Sequence, residues 1–430
     1  MIPTSRRTKL PHSTFASTSG LQVVNIRPML DLEEARQRLL EAIRPLPFES
    51  VPLSRASARV VAEAVASPID LPAFDNSAMD GYAVRSADIA TGGPPSPVAL
   101  KLAGYLPAGV VFTGVVQPGT CVRVFTGSPL PNGADAVLMQ EDARTETGQP
   151  ETVMALDHVK PWENVRFRGE DVKAGMVLAK AGEVITPGRM GLMAAAGISS
   201  VKVHRRPIVG LLATGSELVD AGQPLPLGKI YESNCCMLEP LLTRCGAVPQ
   251  VFPLVSDTLD ATCQALNQVL DKCDAVVTSG GVSVGELDFV KAAFEKLGGT
   301  VDFWRVAIKP GKPFVFGRSD QKLLFGLPGN PVSALVTFLL LVRPALRRWQ
   351  GETDVLPPIT HGILAEAFAN HGDRRHFMRV RVDENGIVRS AGAQASHLLS
   401  SLAAANGLIE VPSNTTLAPG SPARVIRIDD

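Results

Sequence analysis

The sequence predicts an α/β plus β fold: a multidomain chain built around a parallel-sheet α/β unit, with a β-rich region before it and a β domain after it. Three observations lead there. At 430 residues the chain exceeds what a single core organises and points to two to four domains of roughly 100–200 residues each. Between residues 206 and 349, short apolar runs of strand length alternate with stretches of helical periodicity, the pattern of βαβ units. On either side, the chain breaks into short apolar runs separated by Pro and Gly, the pattern of strands and polar turns.

Taken in order, residues 1–24 carry Arg6, Arg7 and Lys9 among many Ser and Thr, and no acid occurs in the first 20. Transit peptides and disordered tails share this composition. The missing amphipathic stripe favours a disordered tail, and without an apolar core no secretory signal is expected. Residues 29–44 place Leu32, Ala35, Leu39 and Ile43 at helical spacing behind Asp31, a capping residue. A second helix is expected over 54–63. Strands are expected at 98–102, 121–125, 136–139 and 152–156. In the α/β unit, strands are expected at 208–212, 248–254, 275–278 and 322–325, and helices at 236–245, 259–271, 288–297 and from the 326–333 loop through Val342. A proline-bearing linker, 350–358, leads to strands at 377–382, 408–411 and 423–428.

Composition narrows the function. The 42 basic and 42 acidic residues cancel, so no global field recruits nucleic acid or an anionic membrane, and partners must be selected by local sites. Six cysteines without a CxxC pair fit reduced thiols in an intracellular, cytoplasmic protein. Seven histidines form no HExxH, and His371 with His376 is a pair of the kind chance supplies, so no zinc site is expected. The longest apolar stretch, 334–342, stops at Arg343, short of the roughly 20 residues a spanning helix needs.

Chemistry concentrates in loops. The apolar run 274–277 ends in Thr278-Ser279-Gly280-Gly281-Val282-Ser283-Val284-Gly285-Glu286-Leu287-Asp288. Glycines let backbone approach a ligand, successive N–H groups form an anion nest, and the following helix offers its positive end to a phosphate. Carboxylates there would repel the phosphate unless a divalent cation bridges the two; alternatively, Asp288 serves as a helix N-cap. A second strand, loop and helix recurs at Gly326-Leu327-Pro328-Gly329-Asn330-Pro331, and a third loop, Ala213-Thr214-Gly215-Ser216-Glu217, follows the 208–212 strand. All would open on the carboxyl edge of the sheet, where open α/β sheets bind ligands. Glu217, Asp257 and Asp288 are expected to converge there, or singly to serve as caps and surface acids. Lys309 and Lys312, on a segment stiffened by Pro310 and Pro313, suggest an anion clamp. The upstream stretches 71–84, 125–131 and 168–171 read from chemistry alone only as polar loops.

Seven motifs then carry a resemblance: FDNSAMDGYAV, FTGSPLPNGADAV, RGEDV, ATGSEL, TSGGVSVGELD, AIKPGKP and GLPGNPVSA, in this order. Together they resemble the molybdopterin molybdotransferase family, which includes the C-terminal region of gephyrin. The likeness covers roughly residues 25–430. The SGGVS loop by itself is shared with molybdopterin adenylyltransferases, and the upstream FDNSAMDG and RGEDV motifs discriminate.

The resemblance implies an elongated homodimer. Its divisions would be an N-terminal extended domain (25–70 and 162–205), an inserted β-rich domain (71–161), the α/β molybdopterin-binding domain (206–350) and a C-terminal β domain (351–430). It implies that adenylylated molybdopterin and molybdate are converted to molybdenum-loaded molybdopterin and AMP. Ser279, Gly280, Gly281, Ser283 and Gly285, with Pro328, Gly329, Asn330 and Pro331, would hold the pterin and its phosphate, and Asp257 and Asp288 would hold Mg2+. Asp75, Thr126 and Asp171 would reach in from the partner subunit. Glu217 falls at a family site position, and Lys309, Arg374 and Ser396 match positions assigned to oxyanion handling, with Arg375 an alternative to Arg374 and a plain polar turn an alternative for Ser396. Arg305 stands where the family commonly has lysine, which keeps the charge but replaces a point charge by a rigid fork. Rival functions are the adenylyltransferase reaction and a non-catalytic scaffold. Molybdate against tungstate stays open, as does transient contact with the adenylyltransferase and with recipient molybdoenzymes.

Overall fold

The structure, a computed structural model, describes residues 29–146, 149–282 and 288–428. At its centre lies a six-stranded sheet in the order Val248–Val251, Ile208–Ala213, Ala275–Ser279, Lys322–Leu327, Pro313–Ser319 and Thr300–Arg305. The first four strands are parallel. Pro313–Ser319 runs antiparallel to both of its neighbours, so the sheet is mixed and not wholly parallel. The cause is local: a tight turn through Asp320, in the left-handed region at φ 51°, folds Pro313–Ser319 straight back onto Lys322–Leu327, and no crossover helix intervenes.

Strand alternation splits the apolar side chains between two cores. Leu211, Val277 and Phe325 face one, with Phe303, Phe314 and Phe316 stacked beside them at centroid separations of 5.7–5.9 Å. Leu212, Val276 and Leu324 face the other, covered by the helices Leu259–Lys272 and Val290–Lys296. The first core is roofed by one continuous helical run, Pro331–Thr337, Phe338–Val342 and Arg343–Trp349, whose middle segment widens to π geometry. Helix Leu32–Ala42 also docks here. Asp31 caps it by accepting from the Glu34 amide at 2.8 Å, and Leu32, Ala35 and Leu39 are buried in the same core. Its position in sequence therefore differs from its place in the fold: its apolar face is buried in the α/β unit.

Around this unit, Phe48–Pro52 pairs with Ser200–His204 and Val65–Ala66 with Val177–Ala179, so that segments far apart in sequence share one small core. The helix expected over 54–63 does not form. A single 3-10 turn, Leu53–Arg55, is followed by Ala58 at φ 58° and by extended backbone, where Ala58 and Val61 donate to the carbonyls of Ile185 and Glu183. Long-range pairing of Val60 and Val61 overrides the local helical preference. Between these paired segments the chain builds a second six-stranded sheet, from Gly81–Val84 to Gln149–Ala155.

The C-terminal strands close on themselves. Arg375–Val382, Ile387–Ser390, Ile359–Leu364, Pro422–Arg427 and Gly407–Val411 pair in sequence around a ring, and the last pairs back to the first, which leaves a small barrel with its own core. Ile308–Lys309 of the α/β unit adds to this barrel beside Arg375 and His376. Among the described residues, no helix is long and apolar enough to cross a membrane.

Because Leu39 is fully buried between its helix and the α/β core, Leu39→Ala should cost about 2–5 kcal/mol in urea unfolding followed by circular dichroism. Gln37→Ala, on the exposed face, should stay within about 0.5 kcal/mol.

Candidate functional site

The parallel strands bring three loops to one level. Ala213 lies opposite Ser279, and Ser279 opposite Leu327, so the loops beginning at Thr214, Gly280 and Pro328 leave the sheet side by side. They frame a cleft of about 680 Å³. Gly280 and Gly281 sit at φ 91° and 66°, and a Cβ on Gly280 would lie 2.5 Å from the Thr214 carbonyl oxygen, so only glycine fits there. Gly329 passes against Gly280 backbone to backbone.

Asn234, which sequence reading passed over, joins two of these loops. Its Nδ2 donates to Ser279 Oγ at 2.6 Å and to the Gly329 carbonyl at 2.7 Å. The signal was slight: a polar Glu232-Ser233-Asn234 step where the helix Asn234–Arg244 begins, with Glu232 accepting from the Cys235 amide.

Glu217, Asp257 and Asp288 all line the cleft with Ser279, Gly280, Gly281, Gly329, Asn330 and Pro331. Asp257 is clasped to the Thr214 loop: its Oδ2 accepts from the Ser216 amide at 2.7 Å, and its own amide donates to Ser216 Oγ at 2.9 Å. Asp288 is not the helix cap. That helix begins at Val290, later than the expected 288, with Phe289 at the capping position and no side chain capping it. Among the described residues, no group of three or more His, Cys, Asp or Glu is gathered to hold a metal. The three carboxylates therefore share a cleft without forming a cage. Two carboxylates beside a phosphate-type loop fit Mg2+, which is commonly held by one or two carboxylates, water and substrate phosphate. Ser283 and Gly285 lie outside the described residues, and buried Pro328 stands behind the lining.

The oxyanion candidates divide. Ser396 reaches the cleft: its Oγ accepts from Asn330 Nδ2 at 3.1 Å and its carbonyl from the Val332 amide at 3.2 Å, and the next residue, His397, lines the wall. Lys309 lines a separate cavity of about 560 Å³ at the barrel, with Asn370, His371 and His376. Arg374 donates to the Ile308 carbonyl at 2.8 Å, next to Lys309, whereas Arg375 is taken up by Glu33 and, at 3.0 Å, Glu410. Arg305 lies over the Trp304 ring at 3.8 Å from its centroid and lines neither cavity. Burial first, then the charges of Lys309, Arg379 and Arg374, push the His376 imidazole down to about 4.

The upstream motifs gather at a different surface. Asp75 Oδ1 accepts from the Arg168 amide at 2.7 Å, the Leu130 amide donates to the Asp75 carbonyl at 2.9 Å, and the Asp171 amide donates to the Leu71 carbonyl at 3.1 Å. Thr126 donates through both N–H and Oγ1 to Asp80 Oδ1, each at 2.8 Å, and these bonds, the amide's foremost, hold the Asp80 carboxyl below its ordinary range. Exposed Phe74, Met79, Trp162 and Phe167 lie among these segments, the last two rings 5.6 Å apart. None of Asp75, Thr126 and Asp171 lines the 680 Å³ cleft.

Fold and site together define an α/β protein with a cleft framed by glycine-bearing loops at the carboxyl edge of its sheet, the edge where open α/β sheets bind ligands. Family models agree and are more specific: residues 30–197 match the MoeA N-terminal region (domain I and II), 210–348 a probable molybdopterin binding domain, and 361–428 the MoeA C-terminal region (domain IV). A molybdopterin molybdenumtransferase of Haemophilus influenzae is 41% identical over 387 residues, 89% of this chain and 94% of that one. Molybdopterin molybdenumtransferase 2 of Mycobacterium tuberculosis is 37% identical over 93% of this chain and 99% of its own. The crystal structure of a molybdopterin biosynthesis moeA protein from Pyrococcus horikoshii superposes with a TM-score of 0.79 at 31% identity, covering 93% of this chain and all of that one. The chain belongs to the molybdopterin molybdenumtransferase family, and is a transferase.

The depressed His376 pKa has a signed consequence. Between the ordinary 6.5 and about 4, the unfolded chain takes up a proton that the fold refuses, so this contribution to stability is whole above pH 6.5 and is lost as pH falls toward 4. In urea titrations, wild type should lose roughly 1–3 kcal/mol more than His376→Gln across that window.

Proposed function

We propose that this protein inserts molybdenum from molybdate into adenylylated molybdopterin and releases AMP, the last step of molybdenum cofactor biosynthesis. The observation that carries this reading is the level alignment of three glycine-bearing loops, two of them tied by Asn234, with Asp257 and Asp288 among the lining residues. The Gly281 turn serves the phosphate of the pterin, the Gly280 amide being taken up by the Leu327 carbonyl at 3.0 Å, and Ser279, Gly329, Asn330 and Pro331 shape the rest of the pocket. Mg2+ held by Asp257 and Asp288 would supply charge stabilisation to the adenylate phosphate. Asp257 is preorganised for this by its Ser216 clasp, which directs one carboxylate oxygen and leaves the other to the ligand. Glu217 lies in the same wall.

Molybdate, a dianion, needs fixed cations. Lys309, on a strand pinned to the barrel, and Arg374, bonded to Ile308, supply two that are adjacent; Ser396 faces the pterin loop from the other side. Arg375 is spent in ion pairs with Glu33 and Glu410, which favours Arg374 for this role. Arg305 stacks on Trp304, a geometry its planar fork permits, and is assigned no contact with the oxyanion.

The protein acts on this reading as a homodimer with shared sites. Asp75, Thr126 and Asp171 do not line their own chain's cleft and have exposed aromatic side chains beside them, and a second copy would bring that surface to the cleft.

Purified protein with adenylylated molybdopterin, Mg2+ and varied molybdate should release AMP in a molybdate-dependent manner, and tungstate can be compared in the same assay. Asp288→Ala should fold normally and lose about 100-fold or more of that rate; near-normal turnover would remove Asp288 from the site. Asp75→Ala and Asp288→Ala subunits, each inactive, should regain partial activity when mixed and refolded. Verified heterodimers without turnover would place both residues in one chain's site.

A further inference from the structure

Arg379 is fully buried on the barrel strand Arg375–Val382, and among the described residues no carboxylate pairs with it. Burying a guanidinium without a counter-ion is costly, and it persists where its donors meet acceptors that nothing else can satisfy. Here those acceptors belong to one irregular segment. Nη2 donates to the carbonyls of Ala393 (2.7 Å) and Ala395 (3.1 Å), and Nε donates to Ser401 Oγ at 3.0 Å. Ser401 in turn donates to the Leu398 carbonyl at 2.9 Å. The backbone of the same arginine is engaged too: its amide donates to Gln394 Oε1 at 2.8 Å, and its carbonyl accepts from Gln394 Nε2 at 3.0 Å. Residues 393–401 are thus hung from a single side chain and its own peptide units. The planar fork suits this, since Nε and Nη2 on one guanidinium edge meet the Ser401 hydroxyl and the two carbonyls together.

What the segment carries makes the arrangement functional. Immediately after Ala395, Ser396 accepts from Asn330 and from the Val332 amide, and His397 lines the cleft. Val332 occupies the first turn of helix Pro331–Thr337, where an N–H has no acceptor within its own helix. Its partner is the Ser396 carbonyl, across the junction between barrel and α/β unit.

We propose that Arg379 is a positioning residue: it holds Ser396 and His397 of the barrel against the Asn330 loop, so that the barrel forms one wall of the substrate cleft. The proposal rests on the functional reading above only in taking that cleft as the site of adenylylated molybdopterin.

The test uses the full chain and two readouts. In Arg379→Met, native-state hydrogen exchange should speed up about tenfold or more at the Val332 and Leu398 amides, which donate to the Ser396 and Ala395 carbonyls, while amides of the central sheet such as Val277 keep their protection. The same variant should raise KM for adenylylated molybdopterin roughly tenfold with a smaller change in kcat, and Arg379→Lys, which keeps the charge without the fork, should lie between it and wild type. A folded Arg379→Met with unchanged protection at Val332 would overturn the proposal, as would a uniform loss at every amide, which marks general destabilisation. Should Arg379→Met fail to fold, Arg379→Lys decides: faster exchange confined to Val332 and Leu398 supports the proposal, and wild-type protection there refutes it. Exchange needs no substrate, so a wild-type protein that releases no AMP would sink the functional reading and leave the Arg379 result standing on its own.

Discussion

The register of three parallel strands is the constraint on which the site depends. Ala213, Ser279 and Leu327 stand level because each parallel ladder fixes its neighbour, and a one-residue slip would turn every buried side chain to the wrong face of the sheet. That alignment lets one amide, Asn234 Nδ2, reach both Ser279 Oγ and the Gly329 carbonyl. It also lets Gly280 pass Gly329 with no side chain between them. The ligand loops are therefore held by the sheet's own hydrogen bonds and by a single buried polar bridge. Such loops can be short and still rigid, which suits a site that must bind before it reacts.

A second feature is that no single domain completes the site. The α/β unit supplies the glycine loops and the carboxylates, the barrel supplies Ser396 and His397, and the strand Ile308–Lys309 leaves the α/β unit to pair within the barrel. Helix Leu32–Ala42 packs into the α/β core and is tied to the barrel through Glu33 and Arg375. These cross-links tie barrel and α/β unit together, while Lys309 and Asp257 line two different cavities.

Charge is handled differently at each place. Asp80 is held by the Thr126 N–H and hydroxyl, bonds that favour its ionised form, and Asp257 is oriented by the Ser216 N–H. His376, by contrast, is kept neutral by burial and by the charges of Lys309, Arg379 and Arg374, so the cavity lined by Lys309 does not accumulate a further positive charge. Arg379 stays buried because backbone carbonyls take the place of a carboxylate.

Much of this was legible in the sequence because it is local. Strand periodicity followed by a glycine-bearing loop placed all three loops, two of them ahead of an expected helix and the third ahead of a carboxylate, and Asp31 announced its helix through a side chain that reaches only three residues ahead. The motifs around Asp75, Thr126 and Asp171 were visible as shaped loops, yet nothing local said that they would meet one another. Tertiary structure decided that, and it decided the rest for the same reason: the deciding partners lie far away in sequence. Residues 54–63 lost their helix to pairing with segments more than a hundred residues downstream. The sheet became mixed when Pro313–Ser319 returned as a hairpin. Asn234 and Arg379 gained their roles only once Gly329 and the 393–395 carbonyls were brought to them, because a hydrogen bond depends on where two groups come to lie and sequence spacing over such distances does not encode it.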